Sequence, residues 1–345
     1  MKTVPMLSDI ERQPASLRQV CAHQFGAGAG DLQTAAAVLS EAHRIVFTGM
    51  GSSFFAALPA VQLLAAYGVA AEAMETSELL YFGLGTIDAG TVVVLVSRSG
   101  ETVEAIRLLP ELLKRGAKVI GVTNVADSVL ARESACSIFL NSLPDKMVAV
   151  QSYSASLAVL LLLAEASLRR PLDSLRDSLD GTCSLLESAI PSAVAQSEAW
   201  VEFLREARVV HLMGRGPSLA SAHEGALLFN EAARTPSAAV SGAQFRHGPV
   251  EIVDCRLRAI VFASQPATRT LDLALASDLE AMGAGVRVCH APGTPAPFQT
   301  LVEIVPVQVA ACALALSKGL DPGDFQFATL VTATESGFQG PGAKS

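Results

Sequence analysis

The chain has 345 residues, half of them hydrophobic, with a mean hydropathy of +0.41 and only 17% charged residues. That length calls for two domains rather than one, and the low charge share points to buried surface of the kind an oligomer provides. A net charge of −8 argues against general attraction to nucleic acid or an anionic membrane, while leaving room for a local anion site.

The apolar runs raise the question of a membrane span. The densest, Leu157 to Ala164, stops at Glu165, and the run from Leu301 to Leu316 contains Glu303, Pro306 and Gln308. Neither gives the roughly 18 uninterrupted apolar residues that a spanning helix requires. Parallel strands buried on both faces read in the same solid way, so an α/β protein without a membrane partner is expected. The six cysteines are scattered, with no C-x-x-C pair and no zinc spacing, as in a reducing compartment. The N-terminal MKTVPMLSDIERQ turns polar too early for a signal peptide, so the expected location is the cytoplasm.

Residues up to about Gly26 read as a leading helix. A short β-branched run from Arg44 then ends in Gly49-Met-Gly-Ser-Ser53 and a helical pattern from Phe54 to Tyr67. A second apolar run, Val92 to Val96, ends in Ser97-Arg-Ser-Gly-Glu-Thr102, followed by a helix and the strand Lys118 to Val122. The same series returns further on. Arg208 begins a run ending in Gly214-Arg-Gly-Pro217, with a helix from Ser218 to Ala233; Ala259 to Ala263 and Gly285 to Cys289 complete it. The offset is 164 residues from Arg44 to Arg208 and 166 from Ser97 to Ala263, the mark of an internal duplication. Strands alternating with helices imply parallel sheets with right-handed crossovers, so two doubly wound domains in tandem are expected. Their limits read as 20–168 and 206–335, with a connecting helix over 169–205. The tail after Ala333 is Gly-rich and reads as frayed.

Ligands of open α/β sheets bind beyond the carboxyl ends of the strands, which directs attention to these turns. Ser97-Arg-Ser-Gly-Glu-Thr102 opens a helix with three hydroxyls and free backbone N–H groups, a set suited to an anion with several oxygens such as phosphate. The plainer alternative is that these residues only cap a helix. The first turn is no dinucleotide fingerprint, since Phe54 stands where G-x-G-x-x-G needs glycine, and no Walker pattern is present. In the second half, Glu224 and Glu231 lie seven apart, hence on one helix face, and His247 precedes Gly-Pro in a turn. Glu and His are the side chains that move protons near neutral pH. Lys318 follows an apolar helix from Val309 to Leu316 and precedes Gly319. There it either favours the helix dipole or offers an amine to a carbonyl substrate.

The segments TGMGSSFFA, SRSGETVEA, EGALLFNEAARTPSAAVSGAQFRHGPVEIVD and ALSKGLDPGD resemble a known family. Both halves resemble sugar isomerase (SIS) domains, and residues 20 to 335 are similar to the tandem-SIS isomerase region of glutamine:fructose-6-phosphate amidotransferase and its stand-alone relatives. The resemblance implies flavodoxin-like three-layer αβα sandwiches, a phosphosugar ligand, a homodimer, and no metal or redox cofactor. It further implies that Ser53, Ser97, Ser99 and Thr102 hold the phosphate, with Gly51 and Ser52 shaping the first turn. Glu231 would shuttle a proton between C1 and C2, His247 would help open the sugar ring of the neighbouring subunit, and Lys318 would meet the open-chain ketose, with Glu224 near the substrate.

The chain also departs from that family. Leu228 replaces a lysine four residues after Glu224, and Arg98 replaces a glutamine, adding charge beside the phosphate. Asp145 to Ser154 lacks a Ser-Thr-Lys run, and Asp324-Phe-Gln-Phe327 replaces a Pro-Arg. No glutaminase half with a leading cysteine is seen, so glutamine hydrolysis is not expected. Three activities remain: isomerisation or isomerising deamination of a phosphosugar, cleavage of a fructosamine 6-phosphate, and phosphosugar sensing without reaction.

Overall fold

Solid runs of Val, Ile and Leu form strands because both faces of a parallel sheet are covered, leaving no alternation to solvent. The structure, a computed structural model, describes residues 3–327 and 331–335. Among these residues nine strands make two parallel sheets. The first holds β1 (Arg44–Gly49), β2 (Ala71–Ala73), β3 (Thr91–Val96), β4 (Lys118–Thr123) and β5 (Cys136–Phe139), in the order β2-β1-β3-β4-β5. The second holds β6 (Val209–Gly214), β7 (Ser237–Ser241), β8 (Leu257–Phe262) and β9 (Gly285–Cys289), in the order β7-β6-β8-β9. Both are the doubly wound, flavodoxin-like order, whose direction of winding reverses beside the first strand.

Contacts divide the chain into two units. The five-stranded unit comprises Ser16–Pro144, Ser152–Asp177 and the described residues from Phe325 on; the four-stranded unit comprises the described residues up to Ala15, Asp145–Gln151 and Ser178–Asp324.

In the five-stranded unit β3 is buried at all six positions, so helices close both faces of the sheet. The helix Val103–Lys114 turns Leu108, Leu109 and Leu112 onto Val46, Val93, Leu95 and Val119. Each of these leucines contributes about 1.5–3 kcal/mol by burial, enough to fix the helix and with it the turn at its N-terminus. In the four-stranded unit Met213, Ala259 and Val261 pack with Phe245, Leu275 and Leu279 in the same way.

The stretch Gln299–Ser317 corrects one sequence expectation. By length and composition it can cross a membrane, even with Glu303, Pro306 and Gln308 inside it. Its apolar window is 83% buried within the protein, which makes it a core helix. Gln308 is paired there with Gln13, whose amide donates to Gln308 Oε1 at 2.9 Å.

Candidate active site

β1 and β3 pair in register from Arg44 opposite Thr91 to Gly49 opposite Val96. Their two following turns therefore leave the sheet side by side at its carboxyl edge, where the winding reverses. Gly49 allows the first turn to close, because a Cβ there would lie 3.0 Å from Phe54 N and from Ser53 C. Gly51 has φ 50° and ψ −128°, backbone that an L side chain rarely adopts. Ser52 and Ser53 are half-buried in the short helix Ser52–Phe55 that follows.

The second turn is knit by hydroxyls. Ser97 is buried, its Oγ accepts the Gly100 N–H at 3.1 Å, and it shares a 3.0 Å hydrogen bond with Thr102 Oγ1. Ser99 Oγ accepts the Glu101 N–H at 3.2 Å. Thr102 stands at the N-cap of Val103–Lys114, yet its side chain makes no capping bond. Helix capping alone therefore does not account for the Thr102 hydroxyl. Gly100 has φ 66°, and a Cβ on it would come within 2.2 Å of Ser128 Oγ. The half-buried Arg98 is fixed through its carbonyl, which accepts from Thr123 Oγ1 at 3.2 Å and Asn124 N–H at 2.9 Å.

The described end of the chain lies against this helix start, which the sequence did not reveal. Val103 N–H donates to Thr332 O at 3.0 Å, and the Glu335 carboxylate receives both the Tyr81 hydroxyl and the Arg107 guanidinium. Glu335 is thus tied down where fraying was expected; residues 336–345 of that tail lie outside the described residues.

In the four-stranded unit the helix Ser218–Glu231 carries both candidate glutamates at different depths. Glu224 is fully buried, while Glu231, one residue before the C-cap, is half-buried. Leu228 is also fully buried, part of the apolar side of the helix. His247 is exposed in a turn where its N–H donates to Gln244 O at 3.0 Å. Gly248 follows with φ 118°, a conformation that reserves this place for glycine.

Lys318 caps the helix Val305–Ser317, but its amine serves another segment. Nζ donates to Thr235 Oγ1 at 2.6 Å and to Ala233 O at 3.0 Å, just beyond the Glu231 helix. Partial burial of the head group lowers the lysine pKa from its ordinary value. Thr235 is 4% exposed and donates its own proton to Ala233 O at 3.1 Å. Its role was not legible in a sequence where 83 residues separate it from Lys318.

The segment Asp145 to Ser154 is used for local order. Asp145 Oδ1 accepts the Gln151 N–H at 2.7 Å, and Lys146 N–H donates to Asp9 Oδ2 at 2.9 Å. Among the described residues no three His, Cys, Asp or Glu side chains gather as metal ligands.

Comparison with known proteins places this arrangement. A model of the SIS domain matches residues 38–166 and 203–304. Glutamine–fructose-6-phosphate aminotransferase (isomerizing) of Pyrobaculum aerophilum is 26% identical over 336 residues, covering 92% of this chain and 55% of that protein. The chain thus spans about half the length of the curated relatives it matches. Among solved structures, the C-terminal domain of glucosamine-fructose-6-phosphate aminotransferase from Francisella tularensis has a TM-score of 0.81 at 19% identity, covering 93% of this chain and 98% of that one. Glucosamine-6-phosphate deaminase from Thermotoga maritima has a TM-score of 0.78 at 21% identity, covering 95% and 99%. Both structural likenesses are likenesses of fold. One matched segment contains β1 to β5 and the other β6 to β9, so the duplication seen in the sequence is a pair of like domains, and the protein belongs to the SIS domain family.

Proposed function

We propose that the chain is a phosphosugar enzyme of the isomerase type, acting by aldose–ketose isomerisation or by isomerising deamination of an amino-sugar phosphate such as glucosamine 6-phosphate. The observation that carries this reading is the hydroxyl set of the second turn. Ser97 and Thr102 hold each other at 3.0 Å beside β1, and Thr102 is not spent on its helix. A phosphate offers oxygens to such donors, and charge-assisted bonds of this kind are the strong ones. Gly51, Ser52, Ser53, Arg98 and Ser99 complete the proposed phosphate group.

The chemistry assigned to the four-stranded unit is a proton transfer. The Glu231 carboxylate removes the proton from the carbon beside the substrate carbonyl, leaving an enediolate, or its amino counterpart in the amino sugar, within which the neighbouring hydroxyl or amine passes its proton to the former carbonyl oxygen. Glu231 returns the proton it took to the neighbouring carbon, so no proton is gained or lost. In the deaminating case water then takes the place of ammonia. Glu224 supports this carboxylate in the proposal. Lys318, with its lowered pKa, supplies either an amine for a Schiff base or a hydrogen bond to the substrate oxygen. His247 is exposed, and the proposal has it complete the site of a second copy in a homodimer.

Leu228 favours a second reading. Its full burial leaves no amine where the family has a lysine, which suits a fructosamine-6-phosphate deglycase whose substrate brings its own amine. The test is a panel of sugar phosphates, amino-sugar phosphates and fructosamine 6-phosphates, followed for melting shift, turnover and release of free amino acid. Glu231→Gln is expected to lower turnover by about 10²–10⁴-fold. Turnover within a factor of a few of wild type removes the proton-shuttle role, and binding of the panel without turnover leaves the chain a sensor.

A further inference from the structure

The duplication extends to the turn that follows each first strand. Gly49, Gly51 and Ser53 recur at an offset of 165 as Gly214, Gly216 and Ser218. The backbone recurs with them. Gly214, like Gly49, lies against the helix start, where a Cβ on it would come within 2.6 Å of Ser218 O, and Gly216 has φ 54° beside the 50° of Gly51. β6 pairs with β8 as β1 pairs with β3, so the turn after β8 is the neighbour of this one.

A carboxyl group lies at this second turn pair. Glu303 is fully buried, and it receives Ser221 Oγ on Oε1 at 2.7 Å and Ser218 Oγ on Oε2 at 3.1 Å, with a further hydrogen bond from Ser264 in the turn after β8. The surrounding bonds direct the serine protons toward it. Gln265 Nε2 donates to Ser218 Oγ at 3.2 Å and Ala291 N–H donates to Ser264 Oγ at 3.0 Å, so these two hydroxyls accept from elsewhere and give their own protons to Glu303. Arg215, in the middle of the Gly-Arg-Gly turn, is paired with the buried Asp272, which also accepts from Thr268 at 2.9 Å.

We propose that Glu303 is an intramolecular ligand: its carboxyl group fills, in the four-stranded unit, the oxyanion cradle that the duplicated turns create, so the chain takes one external oxyanion rather than two. The count of one rests on the function proposed above, whereas the role of Glu303 stands on its own contacts. Three hydroxyls from two elements, each acting as a donor, form a binding set for a small anion such as acetate or inorganic phosphate.

The test is equilibrium dialysis of the whole chain against labelled acetate and phosphate at pH 8. Wild type is expected to bind one phosphate and Glu303→Ala one oxyanion more. The variant's melting temperature should rise by about 3 °C in excess acetate relative to chloride, beyond any rise in wild type. Glu303→Gln fills the same space with a neutral amide and should keep the wild-type count. An unchanged count in folded Glu303→Ala overturns the proposal, as does an equal gain in Glu303→Gln. If Glu303→Ala is unfolded in chloride, recovery of its circular dichroism by acetate or phosphate supports the cradle, and failure in all three salts overturns it. A wild type that binds nothing, beside a Glu303→Ala that binds one, sinks the proposed phosphate site and leaves the cradle standing.

Discussion

The turns after β1 and β6 share a backbone and differ in what their hydroxyls do. After β6, Ser218 and Ser221 are committed to Glu303, and Ser264 joins them from the turn after β8. After β1 and β3, Ser97 and Thr102 bond to each other, Ser99 accepts a backbone N–H, and among the described residues none of the three bonds to a carboxylate. The difference teaches that two copies of one turn can share a backbone while their hydroxyls take different partners, and on the proposed reading only the first copy is left for an external anion. The glycines set the place. Whether an acidic side chain reaches it from a distant helix sets the use.

Removing hydroxyls from the two turns should therefore have opposite consequences. Ser97→Ala with Ser99→Ala is expected to weaken phosphosugar binding by about 10²–10⁴-fold, two charge-assisted bonds at about 1.5–3 kcal/mol each, with a small change in stability. Ser218→Ala with Ser221→Ala should lower stability and leave phosphosugar affinity within a factor of a few. Calorimetric titration and urea unfolding of both double variants read the two effects. If both pairs lose affinity alike, the turns are not different in use.

A second consequence concerns pH. Burial raises the Glu303 pKa from 4.5 to about 7, outweighing the bonds from Ser264, Ser221 and Ser218, which lower it; the nearby Asp272 raises it further. Cys289, which also faces it, is pushed up to about 12 and stays neutral through this range. The folded value lies above the unfolded one, so the folded state holds a proton that the unfolded state releases. The contribution is fully present below pH 4.5 and is lost as pH rises through about 7, some ~3 kcal/mol in all. The stability difference between wild type and Glu303→Gln, taken from urea unfolding at each pH, should shift by that amount across this window in favour of the glutamine variant at high pH. A flat difference would mean that Glu303 titrates alike in both states.

Much of the fold is visible in the sequence because its central strands are apolar runs that end in Gly or Ser turns, as at Gly49, Ser97 and Gly214. Two of the edge strands are not, although the edge strand Gly285–Cys289 is. Ala71–Ala73 and Ser237–Ser241 lack a run of branched side chains, and they become strands because β1 and β6 offer each a parallel ladder, Ile45 with Ala71 and Val210 with Ser237. The hydroxyl turns were legible as candidates by their spacing, whereas partners brought by tertiary folding were not. Glu303 is 82 residues from Ser221, and in sequence it reads only as an interruption of an apolar run. Lys318 likewise looks like a helix-end charge until Thr235 and Ala233 are seen to receive its amine.

The smallest effect separates the shared backbone from the divergent chemistry most cleanly. Gly216 has φ 54° and nothing within 4 Å of an added Cβ, so Gly216→Ala is strained by conformation alone. The expected cost is about 1–2 kcal/mol of stability, the penalty for holding an L residue in left-handed backbone. Phosphosugar affinity should not follow. Gly51→Ala meets a similar penalty, since φ 50° with ψ −128° also disfavours a side chain, but its strain falls on the turn proposed to hold phosphate. It should reduce both stability and affinity. Urea unfolding with calorimetry on the pair decides the matter: equal stability losses with affinity lost only at Gly51 would mark two copies of one turn, of which one still serves a ligand from outside.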